Sequence, residues 1–374
     1  MKRVKNIWDD FISIDNFDVA AHNAVRSKKA KTIVKKFLAN RDENLRRLRK
    51  ALIDGTFTTS TYKLRKIFEP KERIIYILPL YPDHIVHHAL INVLGPIWQR
   101  TFIHDSYACV PGRGLHAASH RTMDFVRRNE YVLQCDIRKF YPNMDHDVMM
   151  KIIRRKIGDK KIIALLENIV RSGGNGKNIP IGNLTSQWLG NVYLNELDHF
   201  VKEKLRWPDY IRYCDDFCLF GNNKNDLRTA AKIIGQFLQY ELKLNFSRTY
   251  IRPVRLGVNF IGLRHFKHFV LMGHNALKKI KKRLPVASDI VKPLDIVATR
   301  CLRLKLFYAA ASAAGADREF SQCRPRPASL RSALYRKLST RALNRAAFFP
   351  TTAERLMRQS LYFGLAFAKF CRYP

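Results

Sequence analysis

Apolar and polar positions alternate along this chain with two different periods, and the switches between them outline its elements. From residue 17 to 55 the spacing is helical: RSKKAKTIVKKF leads into NRDENLRRLRKALIDGTF, where Leu45, Leu48 and Leu52 share one face before Gly55. KLRKIFEPKERIIYILPL then carries β-branched residues on both sides of a polar EPKER interruption, which predicts a hairpin with a basic tip. DHIVHHALINVLGPIWQRTF returns to helical spacing, and its His87–His88 pair fits a helix face better than a metal site, because no acid or cysteine stands at ligand spacing. YVLQCDIRKFYPNMD predicts a strand ending in a turn, and DHDVMMKIIRRKI a helix capped by Asp145 or Asp147. The Gly- and Asn-rich RSGGNGKNIPIGN precedes a helix in LTSQWLGNVYLNELDHFVKEKL. IRYCDDFCLF reads as strand, turn, strand; a helix over 225–242, a short segment LKLNFSRTYIRPV and a hairpin in GVNFIGLRHF come after it. This order predicts an α+β fold with helices at both ends.

Composition and charge narrow the function. Of 374 residues, 47% are hydrophobic and 11% aromatic, enough for a folded core. Sixty-eight Lys and Arg against 31 Asp and Glu give a net charge of +37, which predicts a polyanionic partner, with nucleic acid ahead of a lipid surface. No apolar run approaches the roughly 18 residues of a spanning helix, so no membrane role is expected. Asp9 and Asp10 interrupt the place where an export signal needs an apolar stretch, and the seven cysteines include no CxxC pair, so a cytoplasmic protein with reduced thiols is expected. Beyond about residue 270 the chain becomes strongly basic; the 55 residues from 320 onward hold eleven Lys or Arg and one acid, Glu354.

Against that background the acids stand out. Asp136 ends a predicted strand, and Asp215 and Asp216 sit at the tip of a predicted hairpin. Asp is a common turn former, but three carboxylates in a polyanion-binding chain point to a bridging cation, because close carboxylates repel unless one sits between them. Mg²⁺ suits such oxygen ligands and combines them with substrate phosphates. Two such ions about 3.5–4 Å apart are the arrangement that drives nucleotidyl transfer.

Tyr213-Cys214-Asp215-Asp216 resembles the YxDD box of reverse transcriptases, and Asp136 with Ile137-Arg138-Lys139-Phe140-Tyr141 resembles their first palm motif. Ile179-Pro180-Ile181-Gly182-Asn183-Leu184-Thr185-Ser186-Gln187 is similar to the motif that most of these enzymes carry as QGxxxSP. Glu69-Pro70-Lys71-Glu72-Arg73 resembles the fingers hairpin, Ser106 to Gly114 the basic glycine-rich stretch after it, and Phe260-Ile261-Gly262-Leu263 the primer grip. These motifs cover roughly residues 60 to 285 in family order.

The resemblance implies a right-hand polymerase with an antiparallel palm sheet: a basic helical extension over 1–60, fingers over 61–130, palm over 131–267 and a helical thumb-like domain over 268–374. It implies Asp136 and Asp215 as metal ligands, with the Ile137 carbonyl beside them and Asp216 assisting, for two Mg²⁺ ions, Mn²⁺ being the alternative. Lys71 and Arg73 would hold the triphosphate, Tyr141 would exclude a 2′-hydroxyl, and Gly182 and Gln187 would line the nucleotide site. Arg113, Ile181, Arg248, Gly262, Lys278 and Lys282 would meet nucleic acid. The implied partners are deoxynucleotides, a structured non-coding RNA as template and primer, the cDNA product, and an accessory protein or a second copy.

Two positions depart from the family: Ile181 replaces the usual Gln, which predicts relaxed base selection, and Gln187 the usual Pro. In the form IGNLTSQ the motif resembles enzymes of diversity-generating retroelements and of bacterial groups linked to phage defence. Cys214 and the Ala- and Arg-rich tail from about 300 favour antiviral defence over mutagenic cDNA synthesis. A non-catalytic, maturase-like RNA-binding protein is the remaining alternative.

Overall fold

The computed structural model describes residues 3–68, 72–273 and 277. The helical spacing of the N-terminal region resolves into α1 (Trp8–Ile12), α2 (Ile14–Val25), α3 (Thr32–Ala39) and α4 (Arg41–Ile53). Leu45, Leu48 and Leu52 bury the face that their spacing predicts. Phe11 meets Phe17 edge-on at 5.7 Å between ring centroids, and both are part of the same apolar core as the central sheet. These helices are therefore fused to the body that carries that sheet.

The predicted hairpin forms β1 (Lys63–Ile67) and β2 (Arg73–Ile77), with Ile67 opposite Arg73; its tip, including Lys71, lies outside the described residues. Next come α5 (Ile85–Gln99), buried on nearly every face, and α6 (Leu115–Arg128). After them stand β3 (Tyr131–Ile137), the short α7 (Phe140–Asn143), α8 (His146–Lys156), α9 (Lys160–Arg171) and α10 (Leu184–His199). Asp145 is the cap of α8: its Oδ1 accepts the Asp147 and Val148 amides, both at 3.1 Å. The unit closes with β4 (Tyr210–Tyr213), β5 (Asp216–Gly221), α11 (Lys224–Glu241) and β6 (Phe246–Pro253).

Four of these strands make one antiparallel sheet in the order β4-β5-β3-β6. The inner strands are apolar on both faces: Phe217 to Phe220 are all buried, as are Val132, Leu133, Cys135 and Ile137. α11 packs on the sheet through Leu227, Ala230, Ile234 and Leu238, one side chain per helical turn.

The structure adds to the sequence reading in three places. LKLNFSRTYIRPV, expected as a short segment, contains the eight-residue strand β6, which pairs with β3 apart from a bulge at Ser247. α6 and α9 are helices that the sequence reading does not separate out. The GVNFIGLRHF hairpin forms as β7 (Val258–Phe260) and β8 (Leu263–His265), with Ile261 and Gly262 both in left-handed conformation at the turn, and gains a third strand, β9 (Val270–Met272).

Two compact units divide between Leu256 and Gly257, so the region expected as palm, 131–267, spans that boundary. Lys278, Lys282 and the expected thumb lie outside the described residues.

One carboxylate ties the N-terminal segment to the rest of its unit. Asp159 Oδ1 caps α9 by accepting the Lys161 and Ile162 amides, while its Oδ2 accepts the Ile7 and Trp8 amides at 2.9 Å each. Asp159→Ala strips a cap and leaves two more donors without their acceptor, so it is expected to destabilise this unit by about 2 kcal/mol. Urea unfolding of the variant and the wild type measures the difference.

Candidate active site

The YCDD hairpin is tighter than its sequence suggests. Tyr213 pairs with Asp216, so only Cys214 and Asp215 form the turn, and Cys214 takes φ 57°, the hand that two-residue hairpin turns favour. Asp216 is thus not at the tip, as expected, but is the first residue of β5. There it stands directly opposite Asp136 at the end of β3, and Asp136 in turn stands opposite Arg248 on β6. Ser247 Oγ donates to Asp136 Oδ2. Strand register alone therefore brings Asp136 and Asp216 together, and the turn sets Asp215 beside them.

The electrostatics record that proximity. Burial, then the Asp136 and Asp215 carboxylates, push the Asp216 carboxyl up to about 8. Among the described residues no three or more acidic, thiol or imidazole side chains enclose a metal position. The donor set is instead an open row of hard oxygens at strand ends, which fits Mg²⁺, an ion that keeps positions for water and phosphate. The Ile137 carbonyl comes directly after on β3, and beyond it Lys139 turns the chain through a left-handed residue, φ 43°, into α7.

What holds the turn is an arginine that the sequence did not single out. Arg212, on β4, is fully buried and so is its partner Asp198 on α10. Its Nε and Nη2 donate to the two Asp198 carboxylate oxygens at 2.7 and 2.6 Å. Nη2 also reaches Ser106 Oγ at 2.9 Å, and Nη1 reaches Asn191 Oδ1 and the Cys214 carbonyl, both at 3.0 Å. Tyr210 donates its hydroxyl to Asp198 at 2.7 Å. The same strand position carries a backbone bridge, with Arg212 N donating to the Asp105 carbonyl and Tyr107 N to the Arg212 carbonyl. The only sequence signal was an arginine inside an otherwise apolar strand.

Tyr141 lies on α7 beside Phe140, with ring centroids 5.1 Å apart. Burial, then the neighbouring Cys214, Cys109 and Asp215, push its phenol well above the ordinary range, so it stays a neutral ring near the turn. Gly190 on α10 makes room for it: a Cβ there would come within 3.2 Å of the Tyr141 hydroxyl. A helical glycine is disfavoured by about 1 kcal/mol against alanine, and this contact gives its reason. Gly190 was also missed in the sequence.

Other expected residues behave differently. Gly182, φ 133°, allows a close approach, but the partner is protein: a Cβ there would collide with the Tyr76 carbonyl oxygen on β2. Beside it, Tyr76 N donates to the Ile181 carbonyl at 2.8 Å, so this motif seats the β1–β2 hairpin. Gln187 is half-buried on α10, where Ser186 Oγ holds the Pro180 carbonyl at 2.6 Å. Arg113, expected to face template or phosphate, instead turns inward: its Nη1 donates to the Ile103 and Ser106 carbonyls at 2.6 and 2.9 Å. Arg73 is exposed on β2, and Arg248 is exposed on β6. Gly262 belongs to the second unit. His87 and His88 lie on the buried side of α5; burial brings them down to about 3 and about 4, and His87 Nδ1 is 3.3 Å from Thr185 Oγ1.

The buried ion pair and the raised carboxyl each predict a measurable effect. Asp198→Ala removes one partner of a fully buried ion pair and is expected to destabilise the unit by about 3–5 kcal/mol, whereas Asp198→Leu combined with Arg212→Met removes both charges and should recover much of that loss. Chemical unfolding of the three proteins tests the difference. For Asp216, a folded-state value raised from about 4 to about 8 means that the fold favours the protonated form. Stability without divalent ions is then full below the unfolded value and falls as pH rises from about 4 to about 8. Thermal unfolding should show this decline, Asp216→Asn should flatten it, and Mg²⁺ should stabilise the wild type more at pH 8 than at pH 5.5.

The family model described as reverse transcriptase (RNA-dependent DNA polymerase) matches residues 70–265, more than half of the chain. Protein YkfC of Escherichia coli is 27% identical over 269 residues, covering 58% of this chain and 70% of that protein. The group II intron-encoded protein LtrA of Lactococcus lactis is 25% identical over 170 residues, covering 43% of this chain but only 28% of LtrA. Among solved structures, a telomerase from Candida albicans aligns with a TM-score of 0.44 at 11% identity, over 58% of this chain and 46% of the telomerase. Among the described residues no helix is long and apolar enough to cross a membrane. On the match over residues 70–265, which includes all three carboxylates, this chain belongs to the reverse transcriptase family.

Proposed function

We propose that the chain is an RNA-directed DNA polymerase that extends a primer end along an associated non-coding RNA. The observation that carries this reading is the pairing of Asp136 with Asp216 across β3 and β5, with Asp215 in the adjoining turn. Two Mg²⁺ ions, or Mn²⁺, held by Asp136, Asp215, the Ile137 carbonyl and, in support, Asp216, would activate the primer hydroxyl and stabilise the departing pyrophosphate.

The remaining roles belong to the chain itself. Arg73, and Lys71 two residues before it in the sequence, would offer a planar fork and a point charge to the incoming triphosphate. Tyr141, kept neutral and braced against Gly190, presents a rigid ring beside the turn and leaves no room for a 2′-hydroxyl. Ile181 places an aliphatic side chain where the family's Gln would offer an amide, which loosens base selection. Arg248, exposed next to Asp136 on the edge strand, is available to a phosphate of the primer. A charge of +37 supplies non-specific affinity for RNA along its whole length.

For the biological role we favour antiviral defence in the cytoplasm, on the strength of the IGNLTSQ form, Cys214 and the basic tail. A maturase-like role is the second reading, supported by intron-encoded relatives such as LtrA and by the nuclear intron maturase 1 of Arabidopsis thaliana, 25% identical over 122 residues.

Purified chain given an RNA template, a DNA primer, deoxynucleotides and Mg²⁺ should make cDNA, and Asp215→Ala with Asp216→Ala should abolish it. Tyr141→Ala should raise ribonucleotide incorporation at least tenfold relative to deoxynucleotides. Tight RNA binding with no cDNA from the wild type would sink the polymerase reading and leave the maturase one. Sequencing of the copurifying nucleic acid identifies the RNA.

A further inference from the structure

Cys214 is part of the catalytic turn, yet nothing in the proposed chemistry uses its sulfur. A second thiol stands against it. The loop 105–109 runs beside β4 in a parallel bridge between Ser106 and Arg212. Asn191 clamps the two segments, donating from Nδ2 to the Ala108 carbonyl at 2.8 Å while its Oδ1 accepts Arg212 Nη1. Since Arg212 Nη1 also holds the Cys214 carbonyl, one guanidinium and one amide fix residues 108 and 214 together. The Cys109 and Cys214 side chains meet there.

Both cysteines also sit in left-handed backbone, Cys109 at φ 53° and Cys214 at φ 57°, where a residue with a Cβ is disfavoured and glycine or asparagine would be at ease. Cys109 and Cys214 keep partial exposure, whereas Cys135 and Cys218, the other cysteines among the described residues, are buried in the sheet.

We propose that Cys109 and Cys214 form a peroxide-responsive dithiol pair whose oxidation to a disulfide displaces the catalytic turn and switches the site off. The effect on activity rests on the polymerase reading above; the covalent chemistry does not. Cys109 attacks as its thiolate: the peroxide O–O bond breaks, one oxygen is left on Cys109 as a sulfenic acid, and the other leaves as water. Cys214 Sγ then attacks the Cys109 sulfur, the S–O bond breaks, and the Cys214 proton leaves with the second water. Two thiols and one peroxide give one disulfide and two waters, and exchange with an added dithiol reverses the step.

A covalent S–S bond holds residues 109 and 214 closer than two separate thiols do, and Asp215 is the residue next to 214. A shift of about 1 Å in a reacting geometry lowers the rate on the order of 10²-fold.

The test treats the full chain with hydrogen peroxide, blocks free thiols, and maps disulfides by mass spectrometry while primer extension is measured on the same samples. The expected result is a Cys109–Cys214 linked peptide, a fall in extension on the order of 10²-fold, and reversal of both by dithiothreitol. Cys109→Ala should extend primers like the wild type when reduced and keep that rate in peroxide. No linked peptide, a linked peptide with unchanged extension, or equal peroxide inhibition of Cys109→Ala would each overturn the proposal. If the reduced wild type makes no cDNA, the polymerase reading fails by itself, and the mapped peptide still decides whether the pair oxidises.

Discussion

The site depends on one buried ion pair. Placing Arg212 and Asp198 where neither is exposed removes two charges from water, a penalty that attraction alone does not reliably repay. It is tolerable because the guanidinium finds acceptors in Asp198, Asn191, Ser106 and the Cys214 carbonyl, and because Asp198 takes a further bond from Tyr210. Those acceptors come from α10, from the loop before α6 and from the turn itself. A planar, forked donor can join three segments in this way, and a lysine could not. The consequence is that the backbone at residue 214 is set by the core of the protein and not by the flexibility of a hairpin tip.

A second constraint is charge. Burial, and then repulsion from the Asp136 and Asp215 carboxylates, push the Asp216 carboxyl up to about 8. Elsewhere in the unit acids are tied down one by one: Asp198 and Asp105 into ion pairs, and Asp159 into four backbone amide bonds. Asp105, for example, is held below the ordinary carboxylate range: its hydrogen bonds to Arg121 and Lys202 outweigh the larger opposing effect of burial. At the ends of β3 and β5, by contrast, Asp136 and Asp216 stand directly opposite one another, and a cation would relieve their unfavourable field.

Much of this was legible in the sequence where local pattern decides structure. The three hairpins, β3, α5 and α10 announced themselves through periodicity, and the three aspartates through acids placed directly after apolar runs. Other features were hidden for physical reasons. β6 is an edge strand with half its side chains exposed and none buried, so it has no alternation to display, and only its pairing with β3 makes it a strand. Asp216 was assigned to the hairpin tip because sequence fixes a turn's residues but not its register. Arg212 gave no sign of its role because its partners are distant along the chain; Asp198 is 14 residues away and Ser106 is 106 away. Arg113 illustrates the reverse error, since flanking glycines suggested freedom whereas its side chain is consumed by two carbonyls.

Gly182 shows how a motif can serve catalysis through fold. Its missing side chain lets β2 lie against the 179–183 segment, where Tyr76 N and the Ile181 carbonyl lock the hairpin that carries Arg73. The same segment leads into α10, which supplies Gly190 behind Tyr141, Asn191 beside Arg212 and Asp198 beneath it. One helix thus connects the hairpin proposed to hold phosphate, the ring proposed to select the sugar and the turn that carries the carboxylates. Helices are stiff and core packing transmits small shifts instead of absorbing them, so these three parts keep a fixed spacing. That is what an in-line reaction between a primer end and a triphosphate requires, because its rate depends on alignment more than on the strength of any one contact.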